Sequence, residues 1–141
     1  MKVVVDASAA ISWAVDDERD DLARAMASEV LTHGGYVPPL FASEIQNVLL
    51  VAIRRGRATL SQAAEILGAL ARLPLHVDGS GIELGSSRTL ETAVACGLSA
   101  NDATYVVLAQ ALQARLMTRD RRVRAAASAL NLLWESTSTE P

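Results

Sequence analysis

Short apolar runs alternate along this chain with longer stretches in which apolar residues recur at helical spacing. The first run, "KVVV" at residues 2–5, sets three β-branched residues in a row, which reads as a strand buried on both faces. Helical patterns follow at residues 7–15 and 22–32, and "GYVP" reads as a brief second strand. From Leu40 onward, Ile45, Val48, Leu49, Ala52 and Ile53 recur at the spacing of one helix face. Pro38 and Pro39 mark the start of that helix and Gly56 its stop. A further helix is expected over 60–73, then "PLHV" as a third strand with His76 as a packed strand residue. Helical patterns at 86–96 and 102–113 lead to "RLMT", a fourth strand, and a short helix after Asp120 precedes "NLLW", read as a last edge strand. Strands without alternation, separated by helices, predict an α/β fold: a parallel sheet covered by helices on both faces. The expected organisation is one domain over 1–135 and a polar tail, "STSTEP", over 136–141.

Ligand crevices in such sheets lie beyond the carboxyl ends of the strands. Asp6 follows the first strand directly, and Asp120 stands just past the fourth. A hydroxyl accompanies each, Ser8 two residues after Asp6 and Thr118 two before Asp120. Glu44 and Asp102 both open long helices. Each acid also has an ordinary reading. Asp6 and Asp120 can cap the helices that follow them, "SAND" fits a capping box from Ser99 to Asp102, and Glu44 complements a helix dipole. Those readings leave the convergence of four carboxylates on one sheet edge without a reason. Gathered carboxylates repel, and a divalent cation relieves the repulsion. Hard oxygen donors favour Mg²⁺ or Mn²⁺, while His33 and His76 are too isolated for a zinc site. Carboxylate-held metal ions can activate water against a phosphodiester.

Composition adjusts this picture only in part. At 141 residues the chain can bury one core without staples, and the lone Cys96 excludes an internal disulfide, fitting a reducing, cytoplasmic setting. The opening residues resemble a signal peptide until Asp6 interrupts them, and no uncharged apolar run approaches the roughly 18 residues of a membrane span. The net charge of −3 argues against nucleic-acid binding by bulk electrostatics, yet five acids sit in the single patch Asp16–Asp21. Twelve of the thirteen basic residues are arginine. Arg54, Arg55 and Arg57 close the Glu44 helix, where dipole complementation is the simpler role. Arg119, Arg121, Arg122 and Arg124 border Asp120 and are candidates for phosphate contacts.

Four segments in order resemble the PIN-domain ribonucleases, in particular VapC toxins of VapBC toxin–antitoxin pairs: "VVVDASAAISW", "PPLFASEIQNVLL", "LSANDATYVVLA" and "LMTRD". No single segment is specific; the four together span most of the chain. The resemblance implies a PIN-like three-layer sandwich and Mg²⁺-dependent endonucleolytic cleavage of RNA. It implies catalytic acids at Asp6, Glu44, Asp102 and Asp120, with Asp6 and Asp102 as the principal metal ligands, and Ser8 and Thr118 as hydroxyls bracing the acidic loops. A VapB-type antitoxin and a homodimer are the partners it implies. Asn47 could orient Glu44 or be an ordinary helix polar residue, and Ser12 stands where many relatives carry lysine.

Other chemistries fit less well. A haloacid-dehalogenase-type phosphatase wants a second aspartate where Ser8 stands, and it and receiver domains need a distant lysine, whereas Lys2 is the only lysine. No Gly-rich phosphate loop occurs. The remaining alternative is a non-catalytic PIN-like module that binds RNA or protein.

Overall fold

The computed structural model describes residues 1–15 and 19–137. Most of the acidic patch, residues 16–18, and the end of the polar tail, residues 138–141, lie outside the described residues. Four parallel strands, β1 (Val3–Val5), β2 (Gly35–Val37), β3 (Leu75–Val77) and β4 (Arg115–Met117), form one sheet in the order β3-β2-β1-β4. Among the described residues seven helices connect and follow them: α1 (Ala7–Ala14), α2 (Asp21–His33), α3 (Phe41–Arg54), α4 (Leu60–Ala71), α5 (Arg88–Cys96), α6 (Ala100–Ala111) and α7 (Arg121–Ala129). The chain is α/β, as the alternation of its apolar runs predicts.

The three valines of β1 are buried, since helices cover both faces of a central parallel strand. Helices α1 to α4 pack against one another, while α6 lies on β1 and β4 with α5 and α7 beside it. Right-handed crossovers place these two helix groups on opposite faces, because the chain builds outward from β1 to β3 and then returns across the sheet to β4. That reversal makes the carboxyl ends of β1 and β4 the topological switch point. Helix α3 stops where expected: Arg55 closes it, and Gly56 follows at φ +70°, a conformation that costs a side chain dearly.

Two expectations need correcting. "NLLW" does not form a strand; it makes a single bridge, with Leu116 N–H donating to Leu132 O at 2.7 Å and Trp134 N–H to Leu116 O at 3.0 Å. The apolar run is half-buried against the β4 edge, which accounts for its composition without a ladder. His76 is exposed, because β3 is an edge strand, and its ring lies 5.7 Å from that of Tyr36. Cys96 is a free thiol packed at the core margin. Among the described residues no helix is long and apolar enough to cross a membrane.

Candidate metal-binding active site

Strand pairing builds the centre of the site. Val5 and Met117 are in register, and the Asp6 N–H donates to Met117 O at 2.9 Å, so the turns leaving β1 and β4 run side by side. Asp6 occupies the N-cap position of α1, yet its carboxylate caps nothing. Its Oδ2 instead accepts hydrogen bonds from Ser8 Oγ at 2.8 Å and Thr118 Oγ1 at 2.7 Å. Both hydroxyls are themselves acceptors: Ser8 from Arg119 N–H at 3.0 Å, and Thr118 from Asp120 N–H at 3.1 Å. With both hydroxyl protons directed at Asp6, the 3.3 Å separation of the two oxygens is a close approach within one network. The hydroxyls therefore clip the two turns together and leave Asp6 Oδ1 for another partner. Burial pushes the Asp6 carboxyl above its ordinary value, the two hydroxyl bonds oppose that rise, and the charges of Asp102 and Asp120 add to it.

The other acids converge on this centre by different routes. Asp120 does cap its helix, Oδ1 accepting from Arg122 N–H at 2.9 Å and Val123 N–H at 3.0 Å, while Oδ2 takes no part in the cap. Ser99 caps α6 by accepting from Asp102 N–H at 3.1 Å, which fixes Asp102 in the first turn. Burial raises the Asp102 carboxyl, the Asp120 charge raises it further, and Ser99 and Arg122 pull it back. Glu44 lies in the first turn of α3 with Oε1 buried and without a hydrogen-bond partner. Burial first, then the charge of Asp6, pushes Glu44 up to about 7; Tyr105 opposes the rise and Asp102 adds to it.

The four acids are thus electrostatic neighbours, and none of them forms a salt bridge among the described residues. Nor, among those residues, does any group of three or more His, Cys, Asp or Glu side chains close to metal-binding distances. A preformed cage is not required for Mg²⁺, which keeps several waters and binds through one or two carboxylates. Hard oxygen donors, an orphaned buried Glu44 oxygen and three carboxyls raised by burial and mutual repulsion together fit a divalent cation.

The arginines divide. Arg119 forms a two-pronged ion pair with Asp20, Nη1 to Oδ1 and Nη2 to Oδ2 each at 2.7 Å, which holds the Asp20 carboxyl down at about 2. An RNA phosphate at Arg119 has to displace that carboxylate. Arg121, Arg122 and Arg124 are exposed on α7, and Arg122 is near enough to Asp102 to stabilise its charge. Arg54, Arg55 and Arg57 are exposed at the far end of α3, about 15 Å from Glu44 along the helix. Asn47 is exposed and makes no hydrogen bond to Glu44, which leaves it the ordinary helix polar residue. Ser12 is buried and donates to Ala9 O at 2.6 Å. An apolar groove of about 280 Å³ between α3, α4 and β3, lined by Phe41, Ile45, Leu70 and Val77 among others, includes none of the four acids. The residue that sequence reasoning missed is Tyr105, whose buried hydroxyl lies against Glu44. Its signal was a lone polar tip in an apolar helix run, one turn after Asp102.

A parallel α/β sandwich with carboxylates gathered at the switch point between β1 and β4 fits a hydrolase fold. Residues 3–129 match the PIN domain, and the chain belongs to that family. PIN domains are generally nucleases that use divalent metal ions. The chain is similar to PAE2754 from Pyrobaculum aerophilum, whose crystal structure superposes with a TM-score of 0.69 at 25% identity, covering 89% of this chain and 84% of that one. No curated protein matches the sequence.

Proposed function

We propose that this PIN domain is a Mg²⁺-dependent endoribonuclease and the toxin of a VapBC-type toxin–antitoxin pair. The observation that carries the reading is Asp6: a buried carboxylate at a helix start that caps nothing, held by two hydroxyls, beside three further acids, none of the four in a salt bridge among the described residues. Asp6 and Asp102 are the residues that would hold the ion, with Mn²⁺ as a substitute. Glu44 and Asp120 would support the ion through bound water or hold a second one. When bound, the ion supplies an activated water and steadies the leaving oxygen of the phosphodiester. Ser8 and Thr118 keep Asp6 aimed and keep the two turns in register. Exposed Arg121 and Arg122 offer positive charge to an RNA backbone beside the acids, and Arg119 joins them once it leaves Asp20.

The toxin role, with a VapB-type antitoxin covering the cleft, a homodimer and a cytoplasmic location, follows from the four family-like segments. Chelation tests the catalytic core: EDTA should stop RNA cleavage and Mg²⁺ restore it. Cleavage indifferent to EDTA refutes metal-dependent catalysis, and a purified protein that binds RNA but never cuts it favours the non-catalytic module. Co-expression with the product of a neighbouring short reading frame tests the pairing; failure of any such protein to bind and inhibit removes the toxin role.

A further inference from the structure

Helix α6 buries seven consecutive residues, Ala103–Ala109, and only two of them carry a polar side chain. Thr104 satisfies its hydroxyl within the helix, donating to Asn101 O at 2.6 Å. Tyr105, wholly buried, has no hydrogen-bond partner for its hydroxyl. Phenylalanine would fill the same space without stranding a polar atom, so the hydroxyl adds nothing to the packing. It lies against the Glu44 carboxyl and the Ala7 amide, joining α6 to α3 and to the turn that carries Asp6. Glu44 Oε1 is likewise buried and unpartnered. A donor and an acceptor, both buried and both orphaned, are therefore neighbours. A phenol is protonated at neutral pH, and to a carboxylate it can only be a donor.

We propose that Tyr105 is a positioning residue for Glu44: its hydroxyl donates to the carboxylate and fixes the direction in which the second oxygen faces the site. This rests on reading the acids as a metal centre. Partners that orient such carboxylates commonly change metal affinity when removed.

The test uses the metal alone and the metal-free protein. Mn²⁺ is titrated by electron paramagnetic resonance into the wild type, Y105F, E44A and the double variant. Y105F should weaken Mn²⁺ binding roughly tenfold, and in the E44A background it should cost nothing more. No loss in Y105F, or an equal loss in both backgrounds, overturns the proposal, since a packing role would not depend on Glu44. Second, the Tyr105 ring ¹³Cζ resonance is followed in the metal-free protein, where E44A should shift it; an unmoved resonance also overturns the proposal. A wild type that binds no Mn²⁺ while that resonance responds to E44A refutes the metal reading and supports the Tyr105–Glu44 pairing.

Discussion

The turns after β1 and β4 have the same plan: a buried strand, an aspartate in extended conformation, then a helix. Only one aspartate does what that plan suggests. Asp120 gives Oδ1 to two amides of α7, as a helix cap should. Asp6 gives Oδ2 to Ser8 and Thr118 and leaves α1 uncapped. Local sequence does not decide between the outcomes; the neighbouring turn does, because Thr118 reaches Asp6 only once β4 lies beside β1. A helix start that forgoes its cap gives up about 1 kcal/mol, a cost the fold bears in order to aim the carboxylate elsewhere.

Exchanging the two aspartates breaks this comparison most sharply. Asp6→Asn should lower RNA cleavage by at least about a hundredfold, the scale of losing several kcal/mol of metal-assisted stabilisation. Its melting temperature should match or exceed the wild type's, since the amide oxygen still accepts from both hydroxyls and one buried like charge is gone. Asp102→Asn should behave alike; full activity in either variant defeats the assignment. Asp120→Ala should instead destabilise by about 1 kcal/mol in urea unfolding, while Asp120→Asn keeps the cap and the stability. A stable Asp120→Ala would mean the two turns do not differ.

The metal-free protein should also lose stability as pH rises. Glu44 has a folded value of about 7 against an ordinary 4.5, so the folded state holds the proton more tightly. Its contribution is complete below 4.5, fades as pH climbs through that interval and is gone above about 7. Asp6 and Asp102 act in the same direction. Melting temperature should fall by a few degrees between about pH 5 and about pH 7.5, about 1 kcal/mol corresponding to several degrees in a domain of this size. Glu44→Gln should flatten part of that slope and saturating Mg²⁺ should offset it; a rise with pH in the metal-free protein contradicts the arrangement. The smallest effect is expected on α7, where Arg121→Ala should weaken RNA binding uniformly and reduce the salt slope by about 0.7, the single-strand value for one phosphate. An unchanged slope removes Arg121 from the interface.

Much of this was legible beforehand because parallel strands buried on both faces announce themselves as apolar runs. The positions of Asp6 and Asp120 just past strand ends were legible for the same reason. The division of labour between Asp6 and Asp120 was not, since it depends on a contact between residues 112 apart. Tyr105 stayed hidden because a buried tyrosine in "ATYVVLA" looks like any core aromatic until Glu44 is seen beside it. "NLLW" misled because apolar composition reports burial, and half-burial against an edge needs no ladder. His76 misled in the opposite way: "PLHV" has strand composition, but the sequence does not say that β3 is the outermost strand.

The clip between Ser8, Asp6 and Thr118 also has a bearing on how the protein is made. Asp6 is synthesised 112 residues before Thr118, so it goes without its second hydroxyl while all the chain between them is made. Any activity that depends on that geometry is withheld from the growing polypeptide and arises only when β4 docks beside β1.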